Sequence, residues 1–349
     1  MRVVVVGASG NVGSALLRRL EMEDAVTEVV AIARRPPAER TGKATWHRSD
    51  VAADDLAFLF RGADAVVHLA WLFQPTHRPS TTWQANVVGT SRVLDAVEQA
   101  GVPAVVVASS VGAYSPRAGL TPVDETWPTD GCPTAAYSRE KAYVERLLDV
   151  HAAAHAERRV VRMRPAFIFQ RSSAVQQRRL FAGPFVPHAL LRRGRLPVLP
   201  LPRDLRLQTL HSDDVAEAYT QAVLRDVRGP FNLTTEGSLA PADLAAVLGA
   251  RHVPVPARVV RAGLVPAYAA HLVPASPGLF DLAMSVPMMQ ADRARAELGW
   301  TPRHDARSAL EAFFEGIETG AEGATAPLAA GTSGPLRSHE LGTGVGETP

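Results

Sequence analysis

The sequence is poor in the groups that staple or anchor a chain. Cys132 is the only cysteine in 349 residues. One thiol closes no internal disulfide and builds no cysteine-rich zinc site, and it fits a reducing, cytoplasmic compartment. Lysine is nearly as scarce: Lys43 and Lys141 stand among 37 basic residues, the rest arginine. Neither sign of charge dominates, with 35 acidic residues leaving a net +2. That excludes the clustered basic surface of a dedicated nucleic-acid binder. No apolar run reaches the roughly 18 residues of a membrane span, and the nearest candidate, 259–289, is broken by Arg261, His271 and Asp281. Met1-Arg2-Val3 runs into an apolar stretch with no cleavage region, so no signal peptide is expected. What remains is an ordinary globular composition, 46% hydrophobic and 21% charged. The length suits one large α/β domain, or a domain with a smaller lobe, and buries a core without staples.

Apolar runs and helical periodicities alternate along the first half. Strand-like runs occupy 3–6, 29–33, 45–47, 65–69, 104–108 and 159–163; helical spacing fills 12–20, 54–60, 87–99 and 136–155. Alternation of this kind implies right-handed βαβ units and a parallel sheet covered on both faces. After Pro165 the regularity fades. Residues 170–205 read as loops with short helices, 211–224 as a helix capped by Ser212 or Asp213, 230–233 as a further strand, and 291–316 as two amphipathic helices. From Gly320 onward, Gly, Ala, Thr, Ser and Pro dominate, so the tail is expected to be disordered.

The first loop reads Gly7-Ala8-Ser9-Gly10-Asn11-Val12-Gly13. Glycines let a backbone approach a pyrophosphate closely, and the following helix N-terminus offers free N–H donors and a positive dipole end. A strand before and a helix after supply the context that makes this a dinucleotide cradle rather than a plain turn. At the end of the second strand, a carboxylate would bond the ribose 2′-hydroxyl of NAD. Arg34 and Arg35 stand there instead, and guanidinium groups suit a 2′-phosphate. NADP is therefore favoured, with NAD possible.

Tyr137 and Lys141 are four apart on one helix and share a face. An ammonium near a phenol lowers its pKa and fits it for acid–base work near neutrality. With five tyrosines and two lysines in the chain, chance gives about 0.03 such pairs. Ser109 and Ser110 follow a parallel strand directly, at the carboxyl edge where open α/β sheets bind ligands.

These features, with Asp50-Val51, His68-Leu69-Ala70, Asn86 to Thr90, Arg164-Pro165, His211 to Ala216 and Ala294 to Pro302, resemble the extended short-chain dehydrogenase/reductase family, also called the NAD-dependent epimerase/dehydratase family. The resemblance implies a Rossmann-type doubly wound parallel sheet (1–168), a smaller, mostly helical substrate lobe interleaved with it (169–318), and a tail (319–349). It implies that Ser110, Tyr137 and Lys141 are catalytic. It places Gly7, Ser9, Gly10, Asn11, Val12, Gly13, Arg34, Arg35, Asp50, Val51, Leu69, Ala70, Asn86, Tyr137, Lys141, Pro165 and Ile168 around the cofactor, with Pro165 to Ile168 beside the nicotinamide. Hydride transfer at a carbonyl or alcohol carbon, with Tyr137 moving the proton, is the implied chemistry. A homodimer through helices 87–99 and 136–155 is also implied.

Two departures from the family pattern bear on substrate. An arginine that grips a sugar-nucleotide diphosphate is replaced by Leu207, with Arg206 one place off and so facing the other way in a strand. Phe169-Gln170-Arg171 stands where Tyr-Gly is usual. With Trp71, Leu72, Phe73, Tyr114, Phe169 and Phe181 as pocket candidates, the expected activity is an oxidoreductase on a fairly apolar small-molecule carbonyl or alcohol. The alternative is a nucleotide-sugar epimerase or dehydratase with retained NAD. His151 and His155 lack a third ligand and read as a solvated helix face rather than a metal site. Cys132 reads as a loop residue near the pocket entrance.

Overall fold

The computed structural model describes residues 1–37, 42–74, 76–186, 191–329, 331 and 335–345. The N-terminal half runs β1 (Arg2–Val6), α1 (Asn11–Glu21), β2 (Glu28–Ala33), β3 (Ala44–Arg48), α2 (Ala57–Phe60) and β4 (Ala65–His68). It continues with α3 (Pro79–Trp83), α4 (Gly89–Gln99), β5 (Ala104–Ala108), α5 (Ala136–Ala154) and β6 (Arg159–Pro165). A π-turn at Gln84–Val88 joins α3 to α4, so the helix expected at 87–99 starts earlier. Next come β7 (Phe167–Phe169), α6 (Ala174–Phe181), β8 (Val198–Pro202), β9 (Thr209–His211), α7 (Ser212–Leu224) and β10 (Gly229–Leu233). The chain then forms α8 (Pro241–Val247), β11 (Arg251–Val255), α9 (Ala257–Ala269), α10 (Pro277–Ser285), α11 (Asp292–Leu298), α12 (Ala306–Thr319) and α13 (Ser338–Thr343).

Seven parallel strands make the central sheet in the order β10-β6-β5-β4-β1-β2-β3. The chain leaves β1 toward β3, then returns to β4 on the other side of β1. That reversal opens a crevice at the carboxyl ends of β1 and β4, where doubly wound sheets bind ligands. The four valines of β1 show why its run is continuous rather than alternating. Val3 and Val5 face one core, with Leu16 and Leu20 of α1 and Val215 and Ala222 of α7. Val4 and Val6 face the other, with Phe60, Val93, Val97, Val144 and Leu148. All four are fully buried, each worth about 1.5–3 kcal/mol.

The expected sheet and lobe are present, and the lobe also holds two small parallel pairs, β7–β9 and β8–β11. Three local expectations are corrected. The cap of α7 is His211, whose Nδ1 accepts from the Asp213 N–H, so the cap lies one residue before Ser212. His151 is not solvated: it is buried, and Arg158 bonds its Nε2 at 3.2 Å. Among the described residues no cluster could hold a metal ion. The tail is not free over its described part, because Leu328 is 2% exposed and Glu340 3%; composition missed the specific partners that hold it. Residues 330, 332–334 and 346–349 of that tail lie outside the described residues. No described helix is long and apolar enough to cross a membrane.

Candidate active site

A groove of about 220 Å³ follows the crevice. Its walls come from the first loop (Gly7, Ser9, Gly10), the end of β2 (Arg34, Arg35), the loop after β3 (Asp50, Val51) and the segment after β4 (Leu69, Ala70). Nine residues named from the sequence thus meet in one cleft. Gly7 has φ +85°, and a Cβ there would lie 2.5 Å from the backbone N of Ala70. A Cβ on Gly13 would lie 2.4 Å from the Gly7 carbonyl oxygen. The turn therefore tolerates no side chain at either place, and the loop sits tight on the segment after β4. Gly10 precedes α1 with no side-chain cap and no acidic residue in the first turn. Free N–H donors and the positive helix end remain available there, which fits the pyrophosphate of a dinucleotide.

The other expected residues surround this groove rather than line it. The Asn11 side chain is spent on structure: its Oδ1 accepts from Gln170 at 2.6 Å and Ser212 at 2.7 Å. Val12 is half-buried against the core. Asn86 is fully buried; it accepts the Leu72 N–H at 2.6 Å and donates to the Leu72 carbonyl at 2.8 Å. It thereby clamps the segment that forms the groove wall. Pro165 ends β6 opposite Leu233. Ile168 lies in β7, its carbonyl accepting from Gln177 at 2.7 Å.

Tyr137, Lys141 and Glu145 fall at i, i+4 and i+8 on α5 and project from one face. The Tyr137 ring and Ser110 Oγ flank Gly112 together, close enough for Ser110 to pull the phenol pKa down, and Ser110 Oγ accepts from the Gly112 N–H at 3.0 Å. Lys141 Nζ donates to the Ala108 carbonyl at the end of β5, 2.7 Å away, and sits 3.3 Å above the Trp71 ring centroid. One expectation fails here. Removal from water pushes the Tyr137 phenol up to about 12, against the pull of Ser110 and with a further push from Glu140. The ammonium is 6.0 Å from the phenol ring centroid and is spent on Ala108 and Trp71, so it does not offset this rise. Burial also brings Lys141 down to about 7, with Glu145 and Glu140 resisting. The phenol is therefore protonated near neutral pH.

Two carboxylates that sequence reasoning passed over brace these groups. Glu140 accepts from Thr82 at 2.5 Å and from Asn86 at 2.7 Å. Glu145 accepts from Ser109 at 2.5 Å and from Arg164 through both oxygens, at 2.8 and 2.9 Å. Each carboxylate lies next to, or one turn beyond, Lys141 on α5; that spacing was the available signal.

Aromatic rings crowd the phenol. Trp71 lies edge-on at 5.8 Å, Phe73 at 5.0 Å, and Phe181 at 5.2 Å from Phe73. Tyr114 and Phe169 are not part of this wall. Tyr114 is 1% exposed, donating to Asn232 and accepting from Arg164; Phe169 packs on Phe313. Arg206 folds back on the carbonyls of Arg203 and Leu205, and Leu207 pairs with Leu239. Cys132 is buried, not at an entrance. The groove also takes in Gln176 and Arg179 of α6 with Ala326 and Pro327, none of which the sequence pattern marked.

The model of the NAD dependent epimerase/dehydratase family matches residues 3–233. An uncharacterized protein of Mycobacterium tuberculosis is 30% identical over 317 residues, 90% of this chain and 30% of its own length. The chain thus spans about 30% of that relative. UDP-glucose 4-epimerase of Streptomyces lividans is 29% identical over 245 residues, 64% of this chain and 72% of the epimerase. Among solved structures, MoeE5 in complex with UDP-glucuronic acid and NAD superposes with a TM-score of 0.67 at 22% identity, covering 92% of this chain and 100% of that one. At that identity the likeness is one of fold.

Proposed function

The chain belongs to the NAD dependent epimerase/dehydratase family, and from that premise we propose that it is an enzyme that oxidises and reduces an alcohol carbon of a nucleotide sugar while retaining its dinucleotide. The reading rests on one observation: Ser110, Tyr137 and Lys141 come together behind Trp71, beside a groove that takes in nine expected dinucleotide contacts. Likeness to a UDP-glucose 4-epimerase supports the sugar-nucleotide substrate.

In this reading the bound dinucleotide supplies hydride acceptance and return. Gly7, Ser9 and Gly10 with the start of α1 hold its pyrophosphate, and Asp50, Val51, Leu69 and Ala70 flank its adenosine half. Pro165 and Ile168 are assigned to the nicotinamide end. Ser110 holds the substrate oxygen; in the oxidation half Tyr137 Oη, ionised first, takes the alcohol proton as a phenolate, and in the reduction half it gives that proton back. Lys141, fixed by the Ala108 carbonyl, bonds the nicotinamide ribose. The aromatic rings of Trp71 and Phe73 exclude water from that exchange, which strengthens each hydrogen bond inside. Arg34 and Arg35 follow β2 directly and line the groove, which supports NADP; NAD is supported by its presence in the MoeE5 complex.

A second reading, a net oxidoreductase for an apolar carbonyl, is favoured by Leu207 and by the aromatic wall around Tyr137. Incubation with UDP-sugars and, separately, with a carbonyl panel tests both. Conversion of a UDP-sugar without net nicotinamide turnover supports the first. Stoichiometric nicotinamide consumption by carbonyls, with no UDP-sugar change, supports the second. Exposed Tyr143 and Val150 on α5 are consistent with a homodimer through α4 and α5.

A further inference from the structure

The segment after α12 lies past the last helix of the lobe, yet it reaches back to the first loop of the chain. Thr325 is buried, and its Oγ1 donates to the Ser9 carbonyl at 2.7 Å, 316 residues away in sequence. Ala326 and Pro327 then line the same groove as Gly7 and Gly10. A tight turn follows, with Leu328 N–H donating to the Thr325 carbonyl at 2.9 Å and the Leu328 side chain buried.

Two neighbouring arginines of α6 hold the described tail, one at this segment and one at α13. Arg179 donates to the Pro327 carbonyl at 3.1 Å and itself lines the groove. Arg178 gives one nitrogen to both oxygens of Glu340, 2.6 Å each, in an ion pair whose side chains are 0% and 4% exposed. Arg337 adds bonds of 3.0 and 3.1 Å to the same carboxylate. Ions leave water at high cost unless their partners are this well placed. The ion pair fixes α13 against α6, while Arg179 and Thr325 fix the segment at Pro327 and Ser9, contacts composition alone could not show.

We infer that Thr325, Ala326 and Pro327 are part of the dinucleotide site, forming with Arg179 a wall that keeps the bound dinucleotide from leaving. The inference rests on the reading of the groove as a dinucleotide site. Its chemistry suits that ligand. Ala326 and Pro327 offer apolar surface to a sugar or base, Arg179 offers a cation to a phosphate, and Thr325 pins the turn assigned to the pyrophosphate. A dinucleotide enclosed this way departs only after the Thr325–Ser9 and Arg179–Pro327 contacts open. Slow release is what a reaction needs when the hydride returns to the substrate it came from.

The test uses the full chain and two variants, Thr325→Val and Glu340→Gln. The reduced dinucleotide is bound, then chased with excess oxidised dinucleotide, and its fluorescence follows release. Both variants are expected to release it about tenfold faster than the wild type, as about 1.4 kcal/mol of lost contact would give. Trypsin cleavage after Arg337 is expected to slow when the dinucleotide is present. Thr325→Val guards against the case in which Glu340→Gln fails to fold. Equal release from wild type and Thr325→Val overturns the inference, as does slower release, which would mean that the segment obstructs the site. If the wild type binds no dinucleotide at all, the underlying reading of the groove falls with it.

Discussion

Gly112 lies so close to the ring of Tyr137 that a Cβ on it would stand 2.8 Å from Cε1. The same Cβ would be 3.4 Å from Ser110 Oγ. The glycine after the strand-end serines is therefore what lets the phenol ring pack in beside Ser110. Gly112→Ala is expected to displace the ring and lower kcat by about 100-fold, the order of effect of a misplacement near 1 Å. Dinucleotide affinity should hold, and stability should fall by about 1–3 kcal/mol through overpacking. Steady-state kinetics and a thermal melt on one preparation check both parts; unchanged kcat would place the phenol elsewhere during turnover.

Arg34 and Arg35 should act together on the 2′-phosphate. In the double substitution to alanine, KM for NADP is expected to rise by at least tenfold while KM for NAD changes little. Each charge-assisted bond contributes about 1.5–3 kcal/mol. A wild type that prefers NAD by tenfold would assign both arginines to the solvated rim.

Acid should weaken the fold through Glu145. Burial opposes its ionisation, but the Arg164 bonds, the Ser109 bond and the nearby Arg162 outweigh that cost and hold the carboxyl at about 2, against an ordinary 4.5. A carboxyl depressed in the folded state contributes stability above its unfolded value, and that contribution is lost as pH falls through the window from 4.5 to about 2. Glu145→Gln is expected to cost about 3–5 kcal/mol at neutral pH, because Arg164 is left buried and unpaired. Urea melts across the acid range would show a flatter pH dependence in the variant; parallel curves would contradict the assignment.

Most of the sheet was legible because its signals are local. Four valines followed by a glycine turn can hardly be anything but a buried strand feeding a helix. The pairing of Tyr137 with Lys141 needs only helical spacing. What escaped depends on contacts between distant residues. Arg178 and Arg179 read as two more arginines in an arginine-rich stretch, and only the fold brings them to Glu340 and Pro327. Thr325 meets Ser9 across nearly the whole chain. The tail's small and polar residues predict disorder because composition counts apolar area, and its described part is held by an ion pair and hydrogen bonds instead. The Tyr137 pKa also went the other way. Spacing on α5 shows that the ammonium is on the same face, but not that Ala108 and Trp71 engage it.

The most direct test is rapid mixing of the dinucleotide-loaded enzyme with a UDP-sugar, following reduced-nicotinamide absorbance in the wild type and in Tyr137→Phe. The account predicts a transient rise in the wild type that decays as the sugar is released in altered form. In the variant the rise should be suppressed by about 10²–10⁴-fold in rate, the usual contribution of a positioned acid or base, with dinucleotide binding intact. Equal rises in the two proteins, or none in either while the sugar still turns over, would contradict it.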